Sequence, residues 1–187
     1  MFADPYATQV LDRTVHARLV ADIDTFAQDA RIQPENIWTP LAEKCGTDEI
    51  NYVKRFKFHK GDDVAGLVYV GKIADADIDG RMAAMAGALI RNFVRARVMV
   101  LSQLLDSMED EGVPDISALL IPNFHTPATA GGTKSPWRSS NLLDVLVYRR
   151  TLGVQTIVAV SDFETVGAEY GMAVRRLLKH NYVAVKV

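Results

Sequence analysis

The chain has 187 residues, 49% apolar and 24% charged, enough for one domain that buries about two-thirds of its unfolded surface. Lys and Arg number 21 against 23 Asp and Glu, a formal net charge of −2 that excludes a basic nucleic-acid coat over the whole chain. The single cysteine, Cys45, excludes an internal disulfide and a cysteine-cluster metal site, and no run reaches the roughly 18 uncharged apolar residues of a membrane span, so a soluble, cytoplasmic protein is expected.

Asp4-Pro5 offers a cap and a first-turn proline, and Leu11, Val15, Leu19, Ile23 and Phe26 recur at helical spacing, which predicts an amphipathic helix over 5–29. Residues 31–61 read as short helix and irregular chain. Within them Tyr52–Lys60 interleaves Lys54, Arg55, Lys57, His59 and Lys60 with Tyr52, Phe56 and Phe58. Basic-aromatic alternation suits single-strand stacking, but a period of two favours an edge strand with one buried face.

From Gly66 a regular alternation begins. Strands are predicted at 67–70, 97–101, 118–121, 156–160 and 182–185, as continuous apolar runs of the buried parallel type. Helices fall at 82–93, from Ser102 to about Gly112, from Ser139 or Ser140 to about Gly153, and around 164–169 and 172–179. A Thr-, Ala-, Gly- and Pro-rich loop spans Pro122 to Pro136. The expected fold is α/β, a doubly wound parallel sheet of about five strands over 61–187, preceded by a helical, irregular segment over 1–60.

In such sheets ligands bind beyond the carboxyl ends of the strands, and the first strand-to-helix turn is the natural phosphate cradle. Here that turn runs from Gly71 to Met82 and is not a G-x-x-x-x-G-K-[ST] loop. Arg81 stands in the lysine's place and Met82 in that of the magnesium-binding hydroxyl. Asp75, Asp77 and Asp79 crowd the anion's approach. With Gly80 they also match the opening of an EF-hand loop, but its twelfth position is Ala86 rather than glutamate. A solvated acidic turn at a helix N-terminus is the expected reading, and weak cation binding the alternative.

From Gly66 onward the chain resembles the AAA+ ATPase domain of DnaC/IstB-type helicase loaders, over about two-thirds of its length. The likeness rests on Leu67–Gly71, Met82–Arg91, Val98–Asp106 with its Leu-Leu-Asp, Trp137-Arg138 with Asn141–Arg150, Gln155–Val158, and Tyr170-Gly171 with Val174–Leu177, in the family's order. The resemblance implies a P-loop NTPase-like fold and a role in DNA replication. Its partners would be a replicative helicase or an active AAA+ protein, a second copy of the chain, or DNA. The departures imply a pseudo-ATPase. Asn123 and Phe124 stand where the family carries its Walker B acids, and Ser161 or Asp162 where it carries a sensor asparagine. An amide supplies no carboxylate charge and a phenyl ring polarises no water. Arg176 matches the family's arginine finger, which reaches a neighbouring subunit's nucleotide; a solvated basic helix face is the competing reading.

The stretch from Lys134 carries Lys134, Arg138, Arg149, Arg150, Arg175, Arg176, Lys179 and Lys186 against four acids, which permits a DNA- or acid-facing surface. His16, His59, His125 and His180 are dispersed without ligand spacing. No resident cofactor is expected. The alternative is ATP with magnesium on a nonstandard loop, with Lys72 or Arg81 on phosphate; a self-assembling block is the third reading. Small size and lost motifs suit a phage or mobile-element protein.

Overall fold

A computed structural model describes the backbone of residues 4–110, 112–125 and 136–187. Five strands, β1 (Gly66–Val70), β2 (Ala96–Val98), β3 (Ala118–His125), β4 (Gln155–Val160) and β5 (Tyr182–Lys186), form one sheet in the order β2-β3-β4-β1-β5. Every pairing is parallel, as the buried apolar runs predict. The helices among the described residues are α1 (Ala17–Ala21), α2 (Ile23–Ala30), α3 (Glu35–Trp38), α4 (Thr47–Lys54), α5 (Ile78–Arg91), α6 (Leu101–Asp110), α7 (Pro136–Leu152), α8 (Phe163–Tyr170) and α9 (Met172–Asn181).

Successive strand residues face opposite sides of a sheet, and the core divides accordingly. Leu67, Tyr69, Leu120, Ile157 and Ala159 pack with α5 and the N-terminal helices. Val68, Leu119, Ile121, Val158 and Val160 pack with α6–α9. The segment before β1 therefore shares one core with the sheet.

Two local expectations are corrected. The helix predicted over 5–29 exists only as α1 and α2. The Asp12 carboxylate accepts the backbone N–H of Thr14 (2.8 Å) and Val15 (2.9 Å), and Gln9 adopts a left-handed backbone, so residues 5–16 turn instead. Leu11 and Leu19 are buried, whereas Val15 and Phe26 are exposed. Tyr52–Lys60 is not an edge strand but the end of α4 and a 3₁₀ turn, Phe56–Phe58. Glu49 in the first turn of α4 accepts the Gly46 N–H (3.0 Å) and starts the helix. Tyr52 is then buried, its hydroxyl donating to Gln155 Oε1 (2.7 Å).

β3 runs four residues further than predicted. Pro122 has no N–H for the ladder, and the register shifts between Ile121 and His125. That bulge sets the directions of Asn123 and Phe124.

Candidate functional site

The strand order places the carboxyl ends of β1, β3 and β4 side by side, where an open parallel sheet binds ligands. The loop after β1 begins at Gly71, with φ +140° and an ideal Cβ position 2.0 Å from the Val187 carbonyl oxygen, so only glycine fits. Four of its backbone donors are already used. Gly71 N–H donates to Val160 O (3.3 Å), Lys72 N–H to Val187 O (3.0 Å), Ile73 N–H to Gly71 O (2.9 Å) and Asp75 N–H to Lys72 O (2.9 Å). A phosphate cradle needs such groups free.

The N-terminus of α5 holds a carboxylate of its own. Asp77 Oδ1 accepts the Gly80 N–H (3.1 Å), and Lys44 Nζ lies 3.2 Å from Asp77 Oδ2. The Lys44 ammonium, then the Gly80 N–H, hold the Asp77 carboxyl below its ordinary range. An internal anion and its counter-cation thus sit where an external phosphate would bind. Asp75 and Asp79 are exposed and do not converge with Asp77: among the described residues no group of three or more His, Cys, Asp or Glu is placed to hold a metal ion.

Arg81 and Met82 are turned to structural use. Arg81 Nη1 lies 2.5 Å from Glu49 Oε1, and Glu49 is 1% exposed. Met82 is fully buried. Cys45 packs beside this pair; burial, then the Glu49 charge, push its thiol up to about 12, consistent with an inert residue. Lys72 is exposed and its side chain has no hydrogen-bond or ion-pair partner among the described residues.

At the end of β3, Asn123 Oδ1 accepts the Leu101 N–H (2.8 Å) and caps α6 from across the sheet. The helix therefore starts at Leu101, one residue before the start expected at Ser102. Phe124 is fully buried, edge-on to Tyr170 at 5.5 Å. On β4's exit, Ser161 donates its N–H to His125 O (3.2 Å), and Asp162 caps α8 through Thr165 N–H (2.7 Å). Hydrogen bonds from the Thr165 hydroxyl and N–H keep the Asp162 carboxyl low.

His125, dispersed in the sequence without ligand spacing, is brought to the end of β3 beside this site. Its ring is buried, with Nε2 3.3 Å from Glu169 Oε2 and Tyr170 edge-on at 5.3 Å. Only the pairing of β3 with β4 and the packing of α8 bring these groups together, and no local spacing signals it.

Three arginines of the basic C-terminal stretch are committed to the fold. Arg149, 1% exposed, donates to the carbonyls of Pro114 (2.7 Å), Ile116 (2.9 Å) and Gln155 (2.8 Å) and to Thr156 Oγ1 (3.0 Å), and burial lowers its guanidinium to about 10. Arg150 pairs with Asp63 (2.7 Å) and Arg175 with Glu164. Arg176, Lys179 and Lys186 remain exposed. Lys134 and most of the predicted loop to Pro136, and the side chains of Arg138 and Ser139, lie outside the described residues. No helix among the described residues is long and apolar enough to cross a membrane.

The arrangement at the strand ends can hold its own charges and cap its own helices. Compared with known proteins, the chain matches no family model, and no curated protein matches it.

Proposed function

We propose that this chain is a catalytically degenerate AAA+ protein of the DnaC/IstB helicase-loader type, which acts in DNA replication by binding a replicative helicase or an active AAA+ partner. The reading rests on the sequence resemblance, and the five-stranded parallel sheet is consistent with a P-loop-like fold. The observation that carries the loss of catalysis is the occupied N-terminus of α5, where the Asp77 carboxylate and Lys44 take the place of phosphate and its counter-charge. Phosphoryl transfer depends on positioned positive charge, and here Arg81 neutralises Glu49 instead. Arg176, exposed on α9, is the residue that would reach a live partner's nucleotide.

Isothermal titration with ATP and magnesium tests the first half. No binding is expected up to millimolar nucleotide, and submicromolar affinity with turnover would refute the proposal. Co-elution with a purified replicative helicase tests the second half, with Arg176→Ala expected to change the partner's ATPase rate and not its binding. Lys72 beside Gly71, exposed and with no side-chain partner among the described residues, supports one rival, a nucleotide enzyme with a nonstandard loop, and the same titration separates the two.

A further inference from the structure

A second concave feature lies away from the strand ends. It is a groove of about 710 Å³ between α2, the C-terminal end of α5, the edge strand β2 and residues 112–116. Leu19, Ala30, Ile90, Met99 and Ile116 form its apolar walls, and its size falls within the range of binding clefts.

Phe93 stands at its mouth in an unusual way. Phe93 N–H donates to Ile90 O (2.8 Å) and Val94 N–H to Leu89 O (3.0 Å), a Schellman closure of α5. That closure requires a left-handed residue, and Phe93 has φ +61° where glycine is the least costly choice. A bulky side chain with this backbone is an outlier. Yet the residue is 66% exposed, its ring held by stacking on His16 at 5.6 Å. The fold thus carries a strained backbone and gains little burial in return, a combination found where strain serves binding. Phe26, also exposed, extends this apolar surface along the rim.

The rim carries three arginines, Arg18, Arg95 and Arg97, against two carboxylates, Asp29 and Asp115. The Arg18 side chain has no hydrogen-bond or ion-pair partner among the described residues. Arg97 uses only Nε, on the Asp29 carbonyl (2.9 Å), and Arg95 lies 3.6 Å from exposed Asp115. A small ligand would fill the walls and leave the Phe93 ring in water, whereas a polypeptide covers both. We propose that this groove docks an acidic segment of a partner protein, apolar side chains packing in the cleft and on Phe93, carboxylates on Arg18 and Arg97. This deepens the reading of the chain as a binding protein and names the face and the chemistry of its partner.

The test is selection of random twelve-residue peptides on the intact protein, with affinities of the labelled winners read by fluorescence polarisation. Winners should combine aromatic or aliphatic residues with Asp or Glu. Phe93→Gly should weaken them about tenfold or more while holding or raising Tm, two effects of opposite sign that a packing role does not produce. Arg97→Glu, on the rim, should weaken them similarly and reverse the preference for acids, and it keeps the test decisive if Phe93→Gly folds poorly. Failure to enrich peptides, winners without acids, or affinities that neither variant changes would overturn the proposal. So would self-association or single-stranded oligonucleotide binding abolished by the same variants. Nucleotide turnover would sink the pseudo-ATPase reading and leave this result standing, so the two failures are distinguishable.

Discussion

The Arg81 guanidinium on α5 closes on the carboxylate of Glu49 on α4 at 2.5 Å, joining the segment before β1 to the helix that follows it. Glu49 is 1% exposed while Arg81 keeps partial contact with water, so the pair neutralises a charge the core could not otherwise hold. Arg81→Ala is predicted to lower stability by about 3 kcal/mol, measured by urea unfolding. Adding Glu49→Gln should recover part of the loss, because the stranded charge is then gone. A variant that unfolds at the wild-type midpoint would remove Arg81 from this role.

Gly80 sits under the Asp77 cap, and an ideal Cβ there would lie 2.2 Å from Asp77 Oδ2. Alanine normally favours a helix over glycine, by about 1 kcal/mol. Here the sign is predicted to reverse: Gly80→Ala displaces the cap and lowers Tm, with a loss of about 1 kcal/mol. In the Asp77→Ala background, where nothing remains to clash, Gly80→Ala should stabilise. Calorimetry on the four proteins checks both signs.

Arg149 supplies four hydrogen bonds to groups from two separate segments, the stretch before β3 and the start of β4. Its removal strands buried carbonyls, so Arg149→Met is predicted to cost about 3 kcal/mol or more. Lysine keeps the charge but lacks the planar fork, and Arg149→Lys should recover less than half of that loss. Chemical denaturation of the two variants decides it.

His59 is buried, stacked on Tyr52 at 4.3 Å, with Nε2 2.9 Å from the Tyr52 carbonyl oxygen and therefore donating. Burial depresses its pKa below the ordinary 6.5. The unfolded chain then binds a proton that the folded one refuses, so this contribution is full above 6.5 and is lost as pH falls through the lowered folded value. Wild type is predicted to lose more stability than His59→Gln between pH 7 and pH 5, read as the difference in Tm. Parallel pH curves for the two proteins would contradict this.

The strands were legible because a sheet buried on both faces demands unbroken apolar runs, and Leu67–Val70 and Thr156–Val160 are such runs wherever they sit in a fold. Their alternation with helices also implied parallel pairing. The N-terminal helix was over-read because Val15 and Phe26 keep helical spacing while a local carboxylate, Asp12, turns the chain. Tyr52–Lys60 was misread because a capped helix start at Gly46 outweighs a period of two.

Composition and local pattern by themselves determined the layered parallel architecture and the lack of a standard phosphate loop after β1. Both follow from side-chain polarity and spacing along the chain. Only the tertiary structure decided what the polar residues do: that Arg81 answers Glu49, that Asn123 caps α6, that Arg149 is buried, and that Phe93 stands exposed at a cleft. A charge or a ring acquires its role from partners distant in sequence, and those meet only when strands pair and helices pack.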